Sequence, residues 1–156
     1  MKKILIITFL TFVSIYNYAQ TNSIVGKWKI VKFEGEGLYV HDYKLNKTVY
    51  NQAFVNQYKG KEDSTMQVGL ASMIIPMLKD FEYVFLEDGK YKSLSEGEEK
   101  TNGTYTVNTT KGTIIIKQLE RGKEYLQNLN YSFKENQLIL VEYKNKKKIT
   151  YTVEKQ

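Results

Sequence analysis

The chain contains no cysteine, one proline, one tryptophan and one histidine among its 156 residues. The missing cysteine excludes a disulfide framework, a thiol nucleophile and an acylated-cysteine lipid anchor, so stability must come from packing. A single histidine, His41, supplies one metal ligand where zinc sites want three or four. No Gly-x-Ser-x-Gly elbow is present for a serine nucleophile. Arginine is nearly absent as well, with Arg121 alone. No apolar run reaches the roughly 20 residues that a transmembrane helix needs.

The longest apolar run, Ile4 to Ile15, is broken only by Thr8, Thr11 and Ser14 and follows the positive Met1-Lys2-Lys3. Asn17-Tyr18-Ala19 then offers a small residue before Gln20. This is the pattern of a cleavable secretory signal over residues 1–19, with a single domain over 20–156. A secreted or periplasmic protein, and not a lipoprotein, is expected. Removing Lys2 and Lys3 lowers the formal charge from +6 to +4, a mild excess that does not make a polyanion surface. Nucleic acid is excluded as a partner for an exported chain. No cofactor is expected.

Thirteen tyrosines are present, and this ring packs well on a pleated surface. Strand-like alternation begins at Ile24 and carries Trp28, Ile30, Val31 and Phe33 among lysines, until Gly35-Glu36-Gly37 ends or bends it. Leu38 to Tyr43 is a second short strand. Residues 44–64 are polar and poorly periodic, a long connection with a helical turn near Gln52 to Tyr58. One clear helix follows. Ser64 caps it with Gln67 three residues on, and Met66, Leu70, Met73, Ile74, Met77 and Leu78 form an apolar stripe. Pro76 should kink or end it near Ile75.

After Asp80 the chain alternates strand and turn. Strands are predicted at Phe81–Leu86, Lys90–Ser95, Gly103–Thr109, Thr113–Leu119, Lys123–Phe133, Gln137–Tyr143 and Lys147–Val153. Asp88-Gly89 is a strong hairpin signal, and Glu96 to Asn102 reads as a charged loop. Seven strands at 8–12-residue spacing make an antiparallel meander, which closes to bury one face and remove its edges. The fold class is therefore all-β, an up-and-down antiparallel barrel of about eight strands with one helix inserted before the meander.

Gly26-Lys27-Trp28 on the first strand resembles the Gly-x-Trp motif of lipocalins. Phe85-x-x-Asp88-Gly89-Lys90-Tyr91, and Gly103-Thr104-Tyr105 followed by Val107, resemble the hairpin and next strand of bacterial lipocalin-like domains. The long insert at 44–80 sets the chain with those domains, since the long-known lipocalins carry their helix near the C-terminus. The resemblance implies a barrel with an internal cavity, Trp28 closing its floor, small and usually apolar ligands, and no catalysis. Lipocalins commonly pack an arginine from the last strand over the tryptophan. Here the last strand offers only lysines, and Lys147 or Lys148 is the expected substitute, lacking the planar guanidinium.

His41 beside Asp42 invites a metal or general-base role, but no ligand shell or nucleophile accompanies it. The acids Glu34, Glu36 and Asp42, and Glu96, Glu98 and Glu99, read as solvated surface rather than a catalytic pair. The methionine stripe has two readings, a lid touching ligand or ordinary packing on the outer wall. The run Lys144 to Lys148 is a basic hairpin tip, either solvated and guarding strand edges or meeting an acidic head group or glycan.

The expected function is an exported binding module that holds a small hydrophobic or amphipathic molecule. Trp28, Ile30, Tyr83, Phe85, Tyr91, Tyr105, Met73 and Met77 are the candidate lining, chosen by alternation and by family position. The alternative is an interaction or inhibitor protein with a packed barrel, meeting a surface or envelope partner through its outer face or through loops 35–64 and 95–102. A carbohydrate-handling enzyme is a third, weaker reading. An interior opening of about 300 Å³ or more would favour the ligand site.

Overall fold

In a computed structural model, residues 23–35, 37–58, 62–120 and 123–156 are described. Residues 1–19, read above as a signal, lie outside them. Strands β1 (Gly26–Gly35), β2 (Tyr39–Asp42) and β3 (Lys47–Tyr50) come first. Helices α1 (Gln52–Tyr58) and α2 (Glu62–Leu78) follow. The meander is β4 (Phe81–Phe85), β5 (Lys90–Ser95), β6 (Glu98–Asn108), β7 (Thr113–Glu120), β8 (Lys123–Lys134), β9 (Gln137–Lys144) and β10 (Lys147–Lys155). Strands β4 to β10 pair each with the next, β4 pairs β1, and β10 pairs β1, which closes an eight-stranded antiparallel barrel.

Strand β1 serves three neighbours. One edge pairs β10 along its length, from Trp28↔Lys155 to Gly35↔Ile149. The other edge pairs β4 over Gly26–Lys29 and β2 over Lys32–Gly35. The change of partner falls at an irregularity between Ile30 and Lys32, where the Tyr43 N–H donates to the Val31 carbonyl at 2.9 Å. A bulge bends a strand and re-aims its side chains. Here it lets a short β4 hold the lower part of β1 while the β2–β3 hairpin holds the upper part.

Inward-facing side chains fill the lower barrel. Trp28, Ile30, Phe85, Ile114, Ile116, Leu129, Leu138, Leu140 and Val153 form one cluster with almost no exposed surface. Each such side chain contributes roughly 1.5–3 kcal/mol by leaving water. At the floor the Trp28 indole N–H donates to the Ile24 carbonyl at 2.7 Å, and its ring lies 6.2 Å from Phe133. The cation over that ring is Lys155, its Nζ 5.6 Å from the ring centroid, and not Lys147 or Lys148. Gly26, at φ +137°, makes room for it, since a Cβ there would lie 2.6 Å from Lys155 Cε.

Several sequence expectations need correction. The polar stretch 44–64 contains β3, whose four residues pair β2 in register Tyr39↔Tyr50. Residues Glu98–Asn102 are strand rather than loop, and only Glu96-Gly97 turns, both at positive φ as a two-residue hairpin requires. Helix α2 begins at Glu62, two residues before Ser64, and runs through Pro76 to Leu78. The face of α2 that packs is Ala71, Ile75 and Leu78, against Phe33, Tyr39, Ile149 and Tyr151. Those partners share the inward face of β1, β2 and β10, so the helix covers part of the upper mouth.

Candidate ligand site at the upper rim of the barrel

The barrel interior becomes polar with height. Above the apolar floor come Tyr83, Tyr91 and Tyr151, with Tyr83 6.1 Å from Tyr151 and 6.4 Å from Tyr91 between ring centroids. Burial pushes the Tyr91 hydroxyl up to about 12, and hydrogen bonds with Ser93 and Thr101 hold it back. Burial also raises Tyr83 and Tyr151 well above the usual phenol value, and Glu142 adds to both shifts. These hydroxyls therefore stay protonated at any physiological pH and act as neutral hydrogen-bonding groups.

Next to them runs a chain of polar contacts. Ser93 Oγ lies 2.7 Å from Thr101 Oγ1, and Thr101 donates to Gln118 Oε1 at 3.2 Å. Across the rim, Gln127 Nε2 donates to Glu142 Oε2 at 3.2 Å, with the Tyr151 hydroxyl 3.5 Å from the same oxygen. The inward parity of Ile114 and Ile116 on β7, Leu129 on β8 and Leu140 on β9 continues upward as Gln118, Gln127 and Glu142.

The wall opens at this height. The β8–β9 ladder stops at Leu129↔Glu142, although β8 continues to Lys123 in register with β7. The strands part there and leave a recess of about 580 Å³, lined by Gln118, Gln127 and Glu142 within and by Tyr125, Tyr143 and Lys144 at its margin. Glu142 is the one carboxylate of its described lining, so the recess holds no acid pair. A second space of only about 70 Å³ lies under α2, between Ala71, Leu70 and Ile74 and the rim residues Phe33, Tyr39 and Ile149.

No protein-family model matches this chain, and no curated protein matches it. The chain is similar to a solved structure of low sequence identity. That structure is a DUF4847 family protein from Bacteroides vulgatus, 16% identical, with 84% of this chain and 94% of that chain covered and a TM-score of 0.46.

The eight residues expected to line a cavity separate into three groups. Trp28, Ile30, Tyr83, Phe85 and Tyr91 meet in the buried cluster. Tyr105 packs at its margin, 5.0 Å from Phe85, and its hydroxyl donates to the Leu86 carbonyl at 2.8 Å. Met73 and Met77 turn to solvent, 67% and 70% exposed, which removes them from any lid contact in this arrangement. None of the eight lines the 580 Å³ recess. The residues that do were readable from the alternation, because a polar residue continues the inward parity at the same end of three neighbouring strands.

His41 is also accounted for. It faces inward on β2, with Nδ1 2.9 Å from Thr48 Oγ1 on β3 and its ring edge-on to Tyr43 at 4.5 Å. Burial lowers its pKa, and the neighbouring Asp42 opposes the shift. Among the described residues no group of three His, Asp or Glu side chains is placed to hold a metal.

Proposed function

We propose that this is an exported, non-catalytic binding protein that takes a small amphipathic molecule into the upper part of its barrel. The observation that carries the reading is the recess of about 580 Å³ between β8 and β9, reaching the inward-facing Gln118, Gln127 and Glu142. Its size lies in the range of small-molecule sites, and its lining pairs a few convergent polar groups with aromatic and aliphatic surface. A ligand would set its polar end on the amides and the Glu142 carboxylate and its apolar body on Tyr125, Leu126 and Tyr143. The floor below contributes rigidity rather than contacts, since its side chains already fill the space between the strands. Eight strands enclose an interior just wide enough for side chains to fill, so a ligand belongs where that filling stops.

Native mass spectrometry of the mature protein purified from its own host tests this. A retained small molecule is expected on the wild type. The double substitution Gln118→Leu with Gln127→Leu should remove it while leaving the far-ultraviolet circular dichroism unchanged. A wild-type protein that carries no adduct, and also takes up no amphiphile from its host's extract, would sink the reading.

A further inference from the structure

The parting of β8 from β9 leaves more than a recess, because it also leaves a strand edge. The Tyr131 N–H donates to the Gly112 carbonyl on the β7 side at 2.7 Å. Backbone groups alternate sides along a strand, so Glu124 and Leu126 aim their N–H and C=O groups away from β7 and into the gap. By the register of the lower ladder, Gln127 would stand level with Lys144, the last residue of β9. By the same register Leu126 and Tyr125 stand level with the β9–β10 turn and Glu124 and Lys123 beyond it, so no strand pairs this edge of Lys123–Leu126.

The outer face of the same hairpin is apolar. Leu126 is 62% exposed and Leu119 64%, and Ile115 and Tyr143 are exposed beside them. Register places Ile115 opposite Asn128 and Leu119 opposite Glu124, so Leu126 lies diagonal to both and the three form one patch. An unpaired edge next to exposed apolar side chains is the surface that accepts an added strand.

Charge selects the occupant. The one acid on this part of β8, Glu124, is already paired with Lys117 at 2.7 Å. Lys144 lines the gap, and the exposed Lys123 on β8 and Lys146 and Lys148 on the β9–β10 tip lie within a few residues of its lining. A second mature copy of this chain, at formal charge +4 once Lys2 and Lys3 are removed, would bring the same lysines to the seam. We propose that the β8 edge binds an extended, acidic segment of a different protein, adding it as a strand beside Glu124 and Leu126 in competition with a small molecule resting on Leu126, with its apolar residues on Leu119 and Leu126 and its carboxylates against the lysines.

The test uses the whole mature chain and a fluorescein-labelled decapeptide alternating valine with glutamate. A version with lysine in place of glutamate is the control. Anisotropy should show the acidic peptide binding at least tenfold more tightly than the basic one, with the preference shrinking as salt rises. Hydrogen exchange followed by NMR should show the Glu124 and Leu126 amides slowed when the acidic peptide is bound. Leu126→Pro removes an N–H that the fold does not use and should cut binding at least tenfold. Wild-type exchange decides the matter should that variant misfold. Unchanged exchange at Glu124 and Leu126, equal binding of the two peptides, or protection of the same amides in a peptide-free dimer would each overturn the proposal.

Discussion

At the level of single residues, His41 sits where gaining a proton costs the fold. Its ring is buried on β2 against Thr48 and Tyr43, and burial holds its pKa below the ordinary 6.5. The unfolded chain therefore takes up the proton first as pH falls, and between the unfolded and folded values the unfolded state binds more protons. The stability this residue contributes is fully present above pH 6.5 and is lost as pH falls from there through the folded value. Asp42, Asp80 and Glu154 act at lower pH. Hydrogen bonds from Leu45, Lys29 and Lys44, respectively, are the chief reason each lies below the usual carboxylate value. Urea midpoints should therefore decline for the wild type between pH 7 and pH 5, and His41→Asn should be flat over that window. Parallel profiles for the two proteins would contradict the assignment. The same economy governs Gly103, where a Cβ would collide with the Lys117 carbonyl oxygen, so only glycine lets β6 and β7 approach this closely.

Among elements, α2 shows what a sequence pattern conveys and what it conceals. The stripe Met66, Leu70, Met73, Ile74, Met77 and Leu78 was correctly helical in spacing, but Ala71, Ile75 and Leu78 form the face that packs. Methionine and leucine are apolar wherever they stand, so periodicity identifies the helix but not its orientation when apolar residues occupy more than one face. Helix α2 ends within two residues of Pro76, and the chain turns after Leu78, with the Lys79 N–H donating to the Pro76 carbonyl at 3.2 Å. The meander was legible because four of its turns carry a residue that tolerates positive φ, namely Gly89, Gly97, Gly112 and Asn145. Strand β3 was hidden because Lys47–Tyr50 is half exposed and pairs only β2. Replacing Met73 and Met77 together by glutamine should shift stability by no more than about 0.5 kcal/mol, as for other exposed positions. It should also leave ligand uptake unchanged. Ala71→Asp, on the buried face, should lower the melting temperature. A double methionine variant that loses ligand would restore the lid role that the sequence suggested for these residues.

The whole molecule is held closed by one seam, and that seam joins the most distant parts of the chain. Neighbouring meander strands meet through turns of a few residues, whereas Ile30 on β1 faces Val153 on β10 across most of the sequence. Closing a long loop costs entropy before its contacts are gained, which makes such pairings slow and late. Local hairpins such as β8–β9, with Tyr131 opposite Leu140, can form before closure and then offer the surface on which β1 docks. Both Val153 and Leu140 are fully buried, so truncating either costs stability. Burial of a valine is worth roughly 1.5–3 kcal/mol, and Leu→Ala in a core costs about 2–5 kcal/mol. The two losses should appear in different rates. If β8–β9 is formed in the transition state, Leu140→Ala slows folding; if the β1–β10 seam is not, Val153→Ala leaves the folding rate nearly unchanged and speeds unfolding. A loss of 2 kcal/mol confined to that step corresponds to about a 30-fold faster unfolding rate. Stopped-flow chevrons of the two variants measure both arms directly. A folding arm slowed by Val153→Ala as much as by Leu140→Ala would mean that the barrel closes in the rate-limiting step, with β1 and β10 already together while the meander is still forming.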